Sequence, residues 1–103
     1  MFIEVSTTCG NREEARGIAK LAVERKLCAC VHIKKIESFY SWQNSVHNDI
    51  EFKLTFKTID ARYKDIEALI KSEHSYDLPA IYSTPVLDSS DEYLEWIITN
   101  SEK

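Results

Sequence analysis

The sequence predicts an α+β fold in one domain, residues 1–103, and three observations carry that prediction. Ile50, Phe52, Leu54 and Phe56 alternate with Glu51, Lys53, Thr55 and Lys57, the period-two pattern of a half-buried strand. Ala15, Ile18, Ala19 and Ala22 recur at helical spacing, as do Tyr63, Ile66, Leu69 and Ile70. Strand-like and helix-like stretches follow one another in the order β-α-β-β-α-β-α.

The first strand is read from Phe2 to Thr8, where Ile3, Val5 and Thr7 alternate with Glu4, Ser6 and Thr8. Asn11 followed by Glu14 resembles an N-cap with an acidic residue in the third helical position, so a helix is expected over 11 to about 26. The chain is strand-like from Ala29 to about Trp42, turn-prone from Gln43 to Asn48, and strand again through Phe56. Asp60 is placed as the cap of a second helix. His74 to Leu78 reads as a loop ended by Pro79, and Ala80 to Leu87 as a last strand. Ser89 with Glu92 has the S-x-x-E spacing of a capping box for a short C-terminal helix bearing Tyr93, Leu94, Trp96 and Ile97.

This order fits a split β-α-β, ferredoxin-like sheet with its two long helices on one face and a short extra helix at the end. The middle hairpin is long. A strand of about 14 residues spans roughly 46 Å at ~3.3 Å per residue, whereas a domain of this length has a diameter of roughly 35 Å. The hairpin should overshoot its domain, carrying Phe39, Tyr40, Trp42, Phe52 and Phe56. Such rings and a long strand edge call for cover from a second copy of the chain. Copy number is not legible from this.

Composition narrows the function. An apolar fraction of 44% is enough for a core, and two Gly and two Pro leave no linker or domain boundary. No run reaches the roughly 20 apolar residues of a membrane span. Met1-Phe2-Ile3-Glu4 lacks the basic and apolar regions of a signal peptide. Three cysteines, an odd count without framework spacing, point to reduced thiols and a cytoplasmic setting. A net charge of -4 without a basic run argues against nucleic-acid and anionic-membrane partners. Tyr40, Trp42, Tyr76, Tyr82 and Trp96 are assigned to core and interface packing rather than base stacking.

Several segments resemble the CutA divalent-cation tolerance family. Thr7-Thr8-Cys9 with Asn11-Arg12-Glu13-Glu14-Ala15 resembles its opening, and Leu27 to Ile33 is similar to its L-A-A-C-V-N-I. Ile36, Ser38, Tyr40 and Trp42 keep its spacing. Glu51, Leu54, Lys57 and Thr58 fit E-x-x-L-x-x-K-T, while His74, Tyr76 and Pro79 fit H-P-Y-x-x-P. Pro85 and Tyr93-Leu94-Glu95-Trp96 fit the tail. The resemblance implies a ferredoxin-like homotrimer built like PII-type signalling proteins, a cytoplasmic setting, tolerance of copper and other divalent cations, no catalytic activity and no organic cofactor. Gly10 stands where Pro is usual, Cys28 replaces Ala and His32 replaces Asn. Ser75 replaces the Pro of H-P-Y, which predicts a less rigid loop after His74.

Metal-ligand candidates follow. The resemblance implies copper ligands at a His before the Pro-Tyr element, a neighbouring His and a Cys on strand one. Here His74 matches, Glu73 stands in the neighbouring place, and Thr7 occupies the strand-one position with Cys9 two residues on. Imidazole, thiolate and carboxylate all bind Cu(II) or another divalent cation, so His74, Glu73 and Cys9 form one candidate set. The alternative is that His74 holds a loop carbonyl or a neighbouring subunit. Cys28, Cys30 and His32, at i, i+2 and i+4, would share one face of a strand and form a second set; the alternative is two packed thiols and a solvent-facing imidazole. Cys9 as a nucleophile, Thr7, Thr8 and Asn11 as an anion site, and Arg12 in an acylphosphatase-type anion loop complete the candidates. A PII-like trimer binding a small ligand between subunits is the alternative function.

Overall fold

The computed structural model describes residues 1–102. Strand β1 (Phe2–Cys9) leads into helix α1 (Arg12–Glu24), then β2 (Cys30–Trp42) and β3 (Ser45–Ile59). A 3-10 turn (Asp60–Arg62) precedes α2 (Tyr63–Glu73), followed by β4 (Tyr82–Pro85) and α3 (Asp91–Asn100). The sheet order is β2-β3-β1-β4 with every neighbour antiparallel. Thus β3 lies between β1 and β2, the strands that α1 connects, which is the split β-α-β arrangement the sequence predicts.

Alternation decides the core. Val5 pairs with Phe56 and Cys9 with Phe52, so the odd residues of β1 share a face with the even residues of β3. Ile3, Val5, Cys9, Leu54 and Phe56 pack with Ala15, Ile18 and Ala22 of α1 and Ile66, Leu69 and Ile70 of α2 in one cluster. Leu54 and Phe56 are fully buried, and truncating either to Ala costs about 2–5 kcal/mol. On the opposite face α3 covers the Phe2 end: the Phe2 ring lies 6.0 Å from that of Tyr93, and Ile97 is buried.

Element ends depart from expectation in several places. Helix α1 stops at Glu24, because Lys26 takes a left-handed φ of 57° and the Leu27 and Lys26 amides bond back to Ala22 O and Val23 O. That is a Schellman motif with Lys where Gly is usual. Strand β2 begins at Cys30 rather than Ala29, and β4 is only Tyr82–Pro85, paired on one side with β1. Asp60 lies in the 3-10 turn and makes no cap, and α3 is capped by Ser90, one residue beyond Ser89, whose side chain accepts from Tyr93 N–H at 3.2 Å. The Asn11 cap stands: its Oδ1 accepts from Glu14 N–H at 2.8 Å.

The hairpin is as long as expected. Register runs unbroken from Cys30↔Lys57 to Trp42↔Ser45. Gln43 and Asn44 make the turn with φ of 51° and 64°, the two left-handed residues of a type I′ connection. The molecule measures 45 × 25 × 21 Å. Phe56 and Phe52 are covered by the domain's own helices, contrary to the expectation for them. Phe39 and Val46 are 70% and 79% exposed, and Tyr40, Trp42 and Ile50 are exposed with them.

Candidate metal centre

The end of β1, the first turn of α1 and the end of α2 meet at one corner of the core. Cys9 is the last residue of β1 and fully buried. Two residues separate β1 from α1, so Glu14 in the first turn of α1 comes back over Cys9. His74 follows α2 immediately, with its side chain fully buried. Ligand atoms of Cys9, Glu14 and His74 all lie within 4.8 Å of one another.

The His74 ring is held on both sides. Nε2 lies 2.6 Å from Thr8 O, a carbonyl that only accepts, so Nε2 carries the proton. Nδ1 accepts from Tyr76 N–H at 3.0 Å and stands 3.7 Å from Glu14 Oε1. This meets the structural alternative for His74, a bond to a backbone carbonyl. The same bond orients a metal-binding imidazole, since ligating histidines donate their other N–H to such a carbonyl. A cation at Nδ1 must displace the Tyr76 N–H.

Glu14 is clamped. Its Oε1 accepts from Ser75 N–H at 2.6 Å and its Oε2 from Ser75 Oγ at 2.9 Å. Ser75 therefore ties down the loop that the missing Pro was expected to loosen; Pro would supply neither donor. Tyr76 Oη donates to Glu51 Oε2 at 2.9 Å. A Cβ on Gly10 would stand 3.0 Å from Tyr76 Oη, so the glycine permits that close approach.

Burial pushes the Cys9 thiol up to about 12, with the Glu14 and Glu51 carboxylates adding to the shift. A protonated thiol at neutral pH is a poor nucleophile, so the nucleophilic reading of Cys9 loses its basis. The anion reading loses its basis too. Asn11 is occupied as a cap, Thr7 is buried, and the Glu14 carboxylate repels an anion at this helix end. Arg12 stacks over the Phe52 ring at 4.7 Å.

Glu73, a predicted ligand, is outside the Cys9–Glu14–His74 group. It is exposed in the last turn of α2, and Glu14 takes its place. Cys28, Cys30 and His32 do not converge either. Cys28 precedes β2 and packs in the core, its thiol pushed up to about 12 by burial, while His32 is exposed. These three form no metal-sized group among the described residues. Glu14 was legible only as a charge suited to a helix N-terminus. The short β1–α1 connection was the one available signal that it returns to Cys9.

Beside this corner, a cleft of about 500 Å³ opens between the hairpin and the loop after α2. Tyr40, Trp42, Glu51, Tyr76 and Asp77 line it.

These features define a class: a split β-α-β domain with a thiol, a carboxylate and an imidazole gathered at a buried corner. The chain belongs to the CutA1 divalent ion tolerance protein family, which matches residues 3–100. The divalent-cation tolerance protein CutA of Pyrococcus horikoshii is 32% identical over 102 residues, covering 99% of this chain and 100% of that protein. The chloroplastic protein CutA of Arabidopsis thaliana is 38% identical over 92% of this chain, which spans 53% of that protein's length. The solved structure of the periplasmic divalent cation tolerance protein CutA from Archaeoglobus fulgidus superimposes with a TM-score of 0.96 at 34% identity, covering 99% of this chain and 100% of that one. The divalent cation tolerance protein of Thermus thermophilus gives 0.95 at 36% identity, with the same coverage.

Proposed function

We propose that this chain binds a divalent cation, copper before the others, through Cys9 Sγ, a Glu14 carboxylate oxygen and His74 Nδ1, and so contributes to cation tolerance. One observation carries the reading: three chemically different ligands from three elements lie within 4.8 Å of one another at a buried corner. Nitrogen, sulfur and oxygen donors together suit Cu(II) and Zn(II), and Cu(II) heads the affinity series. A thiolate and a carboxylate balance the charge of a divalent ion. The reading requires no organic cofactor and no catalytic step. Three free cysteines favour a cytoplasmic setting, and the exposed rings of the hairpin favour a homotrimer of the kind the resemblance implies.

The test is an equilibrium titration of reduced, metal-stripped protein with Cu(II) and Zn(II). Binding at one ion per chain is expected to weaken 10–100-fold in His74→Ala, Cys9→Ser and Glu14→Gln. Glu73→Gln and Cys28→Ser/Cys30→Ser are expected to bind as wild type does. Equal binding by all variants would sink the site. The small-ligand alternative has its own support in the cleft beside Tyr76.

A further inference from the structure

We propose that this cleft binds an organic cation, an ammonium or guanidinium group held by Glu51 and faced by the rings of Tyr40, Trp42 and Tyr76. The site uses none of Cys9, Glu14 and His74 as a ligand, although Tyr76 joins the two places, its N–H donating to His74 Nδ1. Its volume of about 500 Å³ lies within the range of small-molecule sites.

The lining selects for positive charge. Two carboxylates, Glu51 and Asp77, face the space, and no Lys or Arg lines it. Glu51 is only 9% exposed. One of its oxygens takes the Tyr76 hydroxyl, and the described residues make no hydrogen bond to the other. The free oxygen is not buried and opens onto the cleft, where an opposite charge is favourable beside apolar walls. Anions are repelled here. A hard metal ion takes six or more oxygen ligands, whereas two carboxylates set among three rings and the apolar Leu78 and Ala80 suit an organic cation better. Aromatic faces beside a carboxylate are the surroundings that favour organic cations.

Two of the three rings are already positioned. Tyr76 is fixed by its bond to Glu51 and by packing against the His74 ring, centroid to centroid 4.7 Å. Tyr40 donates its hydroxyl to Asp49 and stacks on His47 at 5.4 Å. Little ordering remains for binding to impose.

Two sources can present this chemistry: a free small molecule, or a Lys or Arg side chain of a second copy. Titration calorimetry at constant ionic strength with tetramethylammonium and methylguanidinium chloride addresses the first, with uncharged tert-butanol as control. Saturable binding of either cation at one per chain is expected, weakened roughly tenfold in Glu51→Gln and in Trp42→Ala. Trp42 is exposed on the hairpin, so its truncation leaves the core intact. If both probes fail and Glu51→Gln weakens self-association tenfold in sedimentation, the cation is a side chain of a second copy. The proposal is overturned if tert-butanol binds as well as the cations. It is also overturned if Glu51→Gln changes neither cation binding nor self-association.

Discussion

Glu14 and Ser75, 61 positions apart, are joined by two hydrogen bonds, from Ser75 N–H at 2.6 Å and from Ser75 Oγ at 2.9 Å. The clamp fastens the loop after α2 to the first turn of α1 and so holds His74 over Cys9.

Replacing Ser75 by Pro is expected to destabilise the protein. His74 has φ -84° and ψ 141°, a conformation that tolerates a following Pro, and rigidity would add up to ~1 kcal/mol. Loss of both donors to a mostly buried carboxylate costs more, leaving a net loss of about 2 kcal/mol. Ser75→Ala keeps the N–H and should cost about 1 kcal/mol. Urea unfolding at fixed protein concentration measures both. A Ser75→Pro protein as stable as wild type would show that the clamp contributes little.

Cation affinity should rise with pH. Cys9 must lose its proton to bind a metal, and its pKa stands at about 12. From pH 6 to 9 each bound ion therefore displaces one thiol proton, and the association constant should climb about tenfold per unit. Calorimetry in buffers of different ionisation enthalpy counts that proton. In Cys9→Ser it should disappear.

Stability should decline in alkali. Cys9 and Cys28 rise from 9.0 to about 12 on folding, so the fold favours their protonated forms. The benefit is fully present below pH 9 and is lost as pH rises from 9 to 12, at most ~1.4 kcal/mol per unit for each thiol. Urea midpoints at pH 8, 9.5 and 11 should show a shallower decline in Cys28→Ala. An unchanged slope would mean that Cys28 does not titrate in this window.

Lys26→Gly should stabilise the chain by up to about 1 kcal/mol. Lys26 closes α1 with φ 57°, a conformation glycine adopts without a Cβ penalty. The greater freedom of glycine in the unfolded chain offsets part of the gain. A lower unfolding midpoint would point to a role for the Lys26 side chain beyond the turn.

Charging the hairpin should dissociate the proposed homotrimer without unfolding the subunit. Phe39 and Val46 are exposed in the single chain, so Phe39→Asp and Val46→Asp disturb no intrachain packing. Sedimentation should shift toward the monomer at micromolar protein while circular dichroism stays unchanged. An unaltered oligomer would place the interface elsewhere.

Much of the fold was legible because its signals are local. The alternation of β3, the apolar stripes of α1 and α2, and the Asn11 cap each lie within a few residues. Element ends were less legible. Ser89 and Ser90 differ by one position as caps, and Lys26 occupies a left-handed position usually left to glycine. The site was half legible: His74 and Cys9 carry ligand chemistry in their side chains, whereas Glu73 and Glu14 are equally plausible carboxylates by type.

By itself the sequence determined the order of elements, the core face of each strand, a hairpin too long for its domain, and the supply of thiol, imidazole and carboxylate groups. Only the tertiary structure chose among those groups. It brought Glu14 rather than Glu73 to Cys9 and His74, left Cys28, Cys30 and His32 without a common site, and lined one cleft with Glu51, Tyr40, Trp42 and Tyr76. Secondary structure follows from interactions over a few residues, but a ligand set depends on how elements far apart in the chain pack. At the end of α2, the direction in which the helix leaves the core decides whether a carboxylate meets the cluster or the solvent.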